Sequence, residues 1–129
     1  MRWPILFVLI SASLSAQSIP SKTKVKVNCD SRDIVGAMYC SALKDVVATS
    51  PRYEELSGTD HPVGGHWELA IITIDNSVGN EKGLATAVSV SLLRNGFIFV
   101  TSTVQTCGRD AVKICATQTL AEMDQAINK

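Results

Sequence analysis

The chain has 129 residues, 12 basic against 12 acidic side chains and a formal net charge of zero, with 46% hydrophobic residues. That length fits one domain with one modest core and excludes a multidomain plan. The balanced charge provides no long-range field to collect nucleic acid or anionic lipid, so no nucleic-acid partner is expected.

Arg2, an apolar run over residues 5–10 and small residues over 11–16 read together as a secretory signal peptide. The cut is placed after Ala16, with Ser15 as the alternative. The apolar run is too short to span a bilayer, and no cysteine directly follows it to carry a lipid. Residues 1–16 are therefore the signal and 17–129 a single small α/β domain of about 113 residues, soluble, periplasmic or secreted, with no membrane segment after cleavage.

Residues 22–28 alternate Lys22, Lys24 and Lys26 with Thr23, Val25 and Val27, which is the pattern of a solvent-facing edge strand protected by lysines. Asp30 or Ser31 then caps a helix with Asp33 in its first turn. That helix runs to about Thr49 on an apolar set of Ile34, Met38, Leu43, Val46 and Val47, with Val35 and Ala42 alongside. Ser50-Pro51 stops it, because proline disfavours a helical residue before it. Residues 51–65 form a polar connection, with a short extended piece around 53–56. A central strand over 67–75 follows, apolar on both sides. After a polar loop at 76–83, a strand over 84–94 meets one over 97–106 through Asn95-Gly96, a pair suited to the two-residue hairpin turn of positive φ. Asp110 caps a second helix to about Ala126, with Val112, Cys115, Ala116, Thr119, Leu120, Met123 and Ile127 as its apolar stripe. The expected fold is an α/β (α+β) two-layer sandwich in the order β-α-β-β-β-α. Its four-stranded, mostly antiparallel sheet has one polar face, and both helices cover the other.

All four cysteines, Cys29, Cys40, Cys107 and Cys115, lie after the signal, an even count in a chain bound for an oxidising compartment. Placing Cys40 far along a helix that starts near Ser31 argues against a Cys29–Cys40 bridge. Cys107 and Cys115 flank the start of the second helix and form the preferred bridge. The rival connectivity joins Cys29 to Cys107 and Cys40 to Cys115. The chain has no Cys-x-x-Cys, and the spacings suit neither a redox dithiol nor four-cysteine zinc.

His61 and His66 share a loop with Asp60 and Glu68, the one place where a metal or acid–base pair is conceivable. The spacing matches no helical His-Glu-x-x-His arrangement, and no phosphate loop, dinucleotide fingerprint or serine-hydrolase elbow is present. Thr86, Ser89, Ser91 and Thr101-Ser102-Thr103 suit the solvent side of a sheet, where they can meet a ligand. Arg109 and Asp110 at a helix start are read as capping residues. No asparagine heads a glycosylation sequon.

The helix ending LKDVVATSPRYEEL over 43–56, followed by LAIITI over 69–74, resembles the helix-to-strand passage in the amino-terminal α/β module of TolB-like envelope proteins. Residues 101–116, with Cys107-Gly108 and Cys115-Ala116, resemble small exported bacterial proteins. Together these features predict a non-enzymatic binding or interaction module that needs no cofactor and takes an envelope protein or polymer as partner. The alternative is a small metal-dependent or hydrolytic enzyme using His61 and His66.

Overall fold

Strand β1 (Thr23–Ser31) and helix α1 (Ile34–Thr49) are separated only by Arg32 and Asp33 in a computed structural model that describes residues 18, 20–60, 62 and 64–129. Residues 1–16, read from the sequence as a signal peptide, the expected cut after them and His61 lie outside the described residues. The helix starts later than the spacing of Asp30 and Ser31 predicts, because β1 stays paired through Ser31, which lies opposite Thr73. Asp33 is the N-cap instead, and its Oδ1 accepts the Gly36 amide at 2.8 Å. At the other end Ser50 turns to extended backbone before Pro51, as expected.

The buried stripe of α1 repeats every four residues through Val35, Tyr39, Leu43 and Val47, with Gly36 and Cys40 beside it. Ile34 and Met38, expected in the core, instead face solvent. Both belong to an adjacent stripe one residue earlier, which period alone does not separate from the buried one.

After α1 the short β2 (Tyr53–Leu56) pairs parallel with β1, so the extended piece expected there is a strand. β3 (Trp67–Asp75) pairs parallel on the other side of β1, then β4 (Ala85–Arg94) and β5 (Ile98–Gly108) follow antiparallel. The order β2-β1-β3-β4-β5 is a five-stranded mixed sheet, which corrects the expected four-stranded, mostly antiparallel one. It also moves β1 from the edge to the interior. Its lysines are not edge guards: Lys24 is the register neighbour of Glu54 and Lys26 that of Glu68.

Asn95 and Gly96 adopt the expected positive φ, 56° and 80°, but Arg94 pairs with Ile98, so the connection is three residues long and not two. A single 3-10 turn (Arg109–Ala111) then leads into α2 (Val112–Ile127). Asp110 sits inside that turn and does not cap α2, whose start has no side-chain cap. The backbone is extended as far as Gly108, and the Arg109 amide donates to the Leu84 carbonyl at 2.8 Å.

One buried cluster joins the inward residues of the sheet, Val25, Leu69, Ile71, Val88, Val90 and Leu92, to Tyr39, Leu43 and Val47 of α1 and Ala116 and Met123 of α2. Polar groups within this layer are matched. Asp33 Oδ2 accepts from the buried hydroxyls of Thr73 at 3.0 Å and Thr86 at 2.9 Å. The Tyr39 hydroxyl meets Thr119 Oγ1 at 2.7 Å, which also accepts from Gln105 Nε2 at 2.7 Å, tying α1, α2 and β5 together. Burial raises the Tyr39 pKa.

Cysteines pair as Cys29–Cys40 and Cys107–Cys115, with Cα atoms 6.3 and 6.2 Å apart. The first pair corrects the expectation drawn from helix rise. Cys29 lies two residues before the end of β1, roughly 7 Å back at strand rise, and Cys40 six residues into α1, roughly 9 Å along. Because α1 reverses directly over β1, those two distances bring the thiols level.

Candidate interaction surface

The sheet has a covered face and an open one. Inward positions on β4 are Thr86, Val88, Val90 and Leu92, all buried, and the alternate positions Ala87, Ser89, Ser91 and Leu93 turn to the other face. On that side Ile72 and Ile74 of β3 are 49% and 57% exposed and Val104 of β5 is 74% exposed. Register places Asp30, Ile72, Ser89 and Val104 in one row across four strands, and Asn28, Ala70, Ser91 and Ser102 in the next. The open face therefore mixes small polar residues with the exposed apolar Ile72, Ile74 and Val104, where a polar face was expected.

The hydroxyls divide between the two faces. Ser89, Ser91 and Ser102 stay on the open side as expected, whereas Thr86 is fully buried against Asp33. Thr101 and Thr103 share the inward row with Gln105 and Cys107. A ligand on the open face would meet serines, not the threonine set.

Four exposed large apolar residues stand in succession at the hairpin between β4 and β5. Phe97 is 77% exposed and Phe99 62%, with Ile98 and Val100 also exposed. Two constraints produce this. The tight turn leaves Phe97 beyond the pairing of the strands, and the four consecutive apolar residues cannot all point inward. A β-bulge opposite Leu92 and Leu93 further shifts the alternation here, leaving Val100 without a partner in the register. Beside the tip, Trp67, Arg94 and Ile98 form a cross-strand row, and the Arg94 guanidinium lies 5.8 Å from the Trp67 ring centroid. The run Phe97-Ile98-Phe99-Val100 after Asn95-Gly96 was the available sequence signal for this surface.

The histidine loop contributes a small cavity of about 330 Å³ lined by Thr23, Gly64, Gly65, His66, Trp67, Arg94 and Asn95. His66 is placed by its backbone, which donates to Asn95 Oδ1 at 3.1 Å and accepts the Asn95 amide at 2.8 Å. Asp60 and Glu68 are not among the lining residues, and Glu68 accepts from Asn28 Nδ2 at 3.2 Å. No group of three or more His, Cys, Asp or Glu side chains able to hold a metal occurs among the described residues. No helix among them is long and apolar enough to cross a membrane.

At the opposite border of the sheet, Asp124 of α2 gathers three donors: the Tyr53 hydroxyl, Arg52 at 2.7 Å and Asn128 at 3.0 Å. Burial together with the Asp124 carboxylate pushes the Tyr53 pKa up to about 12. In the loop after β3, the Ser77 hydrogen bonds and the Gly83 amide hold the Asp75 carboxyl below its usual range.

No family model matches the chain. No curated protein matches it either. Among solved structures it is similar to the crystal structure of protein XCC0632 from Xanthomonas campestris, of the DUF330 family. That similarity has a TM-score of 0.58 at 12% identity, and it covers 89% of this chain and 93% of the other. The likeness is one of fold. The TolB-like resemblance of residues 43–56 and 69–74 is not shown by these comparisons.

Proposed function

We propose that this chain is an exported interaction module without enzymatic activity, acting in the periplasm or outside the cell. It binds an envelope protein or polymer through the hairpin end of its sheet. The observation that carries this reading is the pair of exposed aromatic rings, Phe97 and Phe99, on a hairpin fixed by a positive-φ turn. Exposed apolar surface of this kind, next to a cation and a tryptophan, is what partner recognition uses. The export half of the reading is supported by the amino-terminal pattern and by two cysteine pairs, each joining a strand to a helix.

Affinity capture from an envelope extract, with the wild-type chain beside a Phe97→Ser/Phe99→Ser variant, tests the reading. Both rings are exposed, so the variant is expected to melt within a few degrees of wild type, because surface changes typically cost no more than about 0.5 kcal/mol. The expected result is a retained envelope component that the variant loses by at least about tenfold. Equal retention by both proteins, or none by either, contradicts it.

A further inference from the structure

The chain's longest strand is also an open edge. β5 runs eleven residues, pairs on one side with β4 and has no strand on its other side among the described residues. Its sequence, IFVTSTVQTCG, contains neither a charge nor a proline. The devices that commonly block edge pairing are charge, proline, shortness and bulges. Only the last is present, confined to the Leu92/Leu93 step. From Thr101 to Gly108 every residue has a single register partner on β4, so this stretch is regular.

We propose that β5 pairs antiparallel with β5 of a second copy of this chain, joining two five-stranded sheets into one ten-stranded sheet across a two-fold axis. Self-complementarity favours a second copy over an unrelated strand. An axis through Thr103 sets that residue opposite itself, Val104 opposite Ser102 and Gln105 opposite Thr101. Hydroxyl and amide side chains then meet on the inward face, and Val104, exposed in the single chain, gains a neighbour on the open face. No like charges are brought opposite one another, because Arg94 and Arg109 lie beyond the two ends of the strand. The axis is normal to the sheet, so both helical layers fall on one side and both open faces on the other. The paired strand spans about 36 Å at strand rise. Edge pairing alone gives an interface at the small end of the range, so reversible association in the micromolar range is expected. This inference stands independently of the partner proposed for the hairpin tip.

Sedimentation equilibrium of the oxidised protein from about 1 μM to about 1 mM tests it. Wild type is expected to pass from monomer to dimer over that range. Ser102→Lys/Val104→Lys substitutes two exposed positions and sets lysine opposite lysine in the pairing through Thr103. It should weaken dimerisation by at least about tenfold while leaving the circular dichroism spectrum unchanged. Mixing it with Ser102→Glu/Val104→Glu should restore a mixed dimer, a readout that a damaged fold would not give. A wild type that stays monomeric throughout overturns the proposal and leaves the edge to a different chain. So does a dimer that tolerates the lysines, or a mixture that forms no mixed dimer.

Discussion

The sheet has two edges, and the chain protects only one. β2 is four residues long, carries Glu54 and Glu55, and is held to α2 because its first residue, Tyr53, and the preceding Arg52 both bond Asp124. β5 is nearly three times as long and uncharged, and it is fastened to α2 towards its Cys107 end, by the Cys107–Cys115 pair and the Gln105–Thr119 hydrogen bond. The same mixed sheet thus ends in a short charged border and in a long neutral one. A sheet treated this way can grow in one direction only. The β5 side also carries the exposed Phe97, Phe99 and Val104.

The largest effects on this contrast come from the cysteine pairs. Closing loops with sequence separations of 11 and 8 residues should stabilise the fold by about 2 to 3 kcal/mol each in the chain-entropy description. Cys107→Ala/Cys115→Ala releases the fastened end of β5, and Cys29→Ala/Cys40→Ala releases the centre of the sheet. Each is expected to lower the melting temperature by roughly 10 to 20 °C, read by differential scanning calorimetry. A shift of a degree or two for either pair would show that it does not brace the fold.

A smaller effect tests the protected border. Tyr53→Phe removes a hydrogen bond to a carboxylate, and a loss of about 1 to 2 kcal/mol is expected at neutral pH by denaturant titration. The pH dependence has a definite sign. With the folded pKa of Tyr53 near 12 against an ordinary value of about 10, the folded state holds the proton more tightly. Its stabilisation is therefore present below pH 10, declines from pH 10 to 12 and is gone above. The Phe variant should decline less over this window, keeping only the part that the raised Tyr39 pKa contributes. Parallel stability curves for the two proteins across this window would remove Tyr53 from the account.

Much of this architecture was legible in the sequence where local chemistry decides. Trp67–Asp75 follows from its apolar run, the hairpin from Asn95-Gly96, the end of α1 from Ser50-Pro51 and the buried stripe of α2 from its periodicity. What escaped depends on partners distant in sequence. Residues 53–56 read only as a short extended piece, and what they do not carry is the parallel pairing with β1 that makes them an edge strand. The lysines of β1 therefore suggested an edge that β2 in fact occupies. Asp30, Ser31 and Asp33 are all able to cap a helix, and the pairing of Ser31 with Thr73 decides for Asp33. Cys29 and Cys40 looked too far apart along a helix until its reversal over the strand was known. For the site, the exposed apolar run at the hairpin was visible as composition, but which of its residues stand free depends on the bulge beside Leu92 and Leu93.

The central claim is that β5 is an open edge that a second copy completes while β2 is closed. Amide hydrogen exchange measured by mass spectrometry at low and high protein concentration reads both edges at once. Exchange across β5 should slow as concentration rises, with β2 unchanged. Exchange rates in β5 that do not depend on concentration, or slowing that appears equally in β2, would contradict the account.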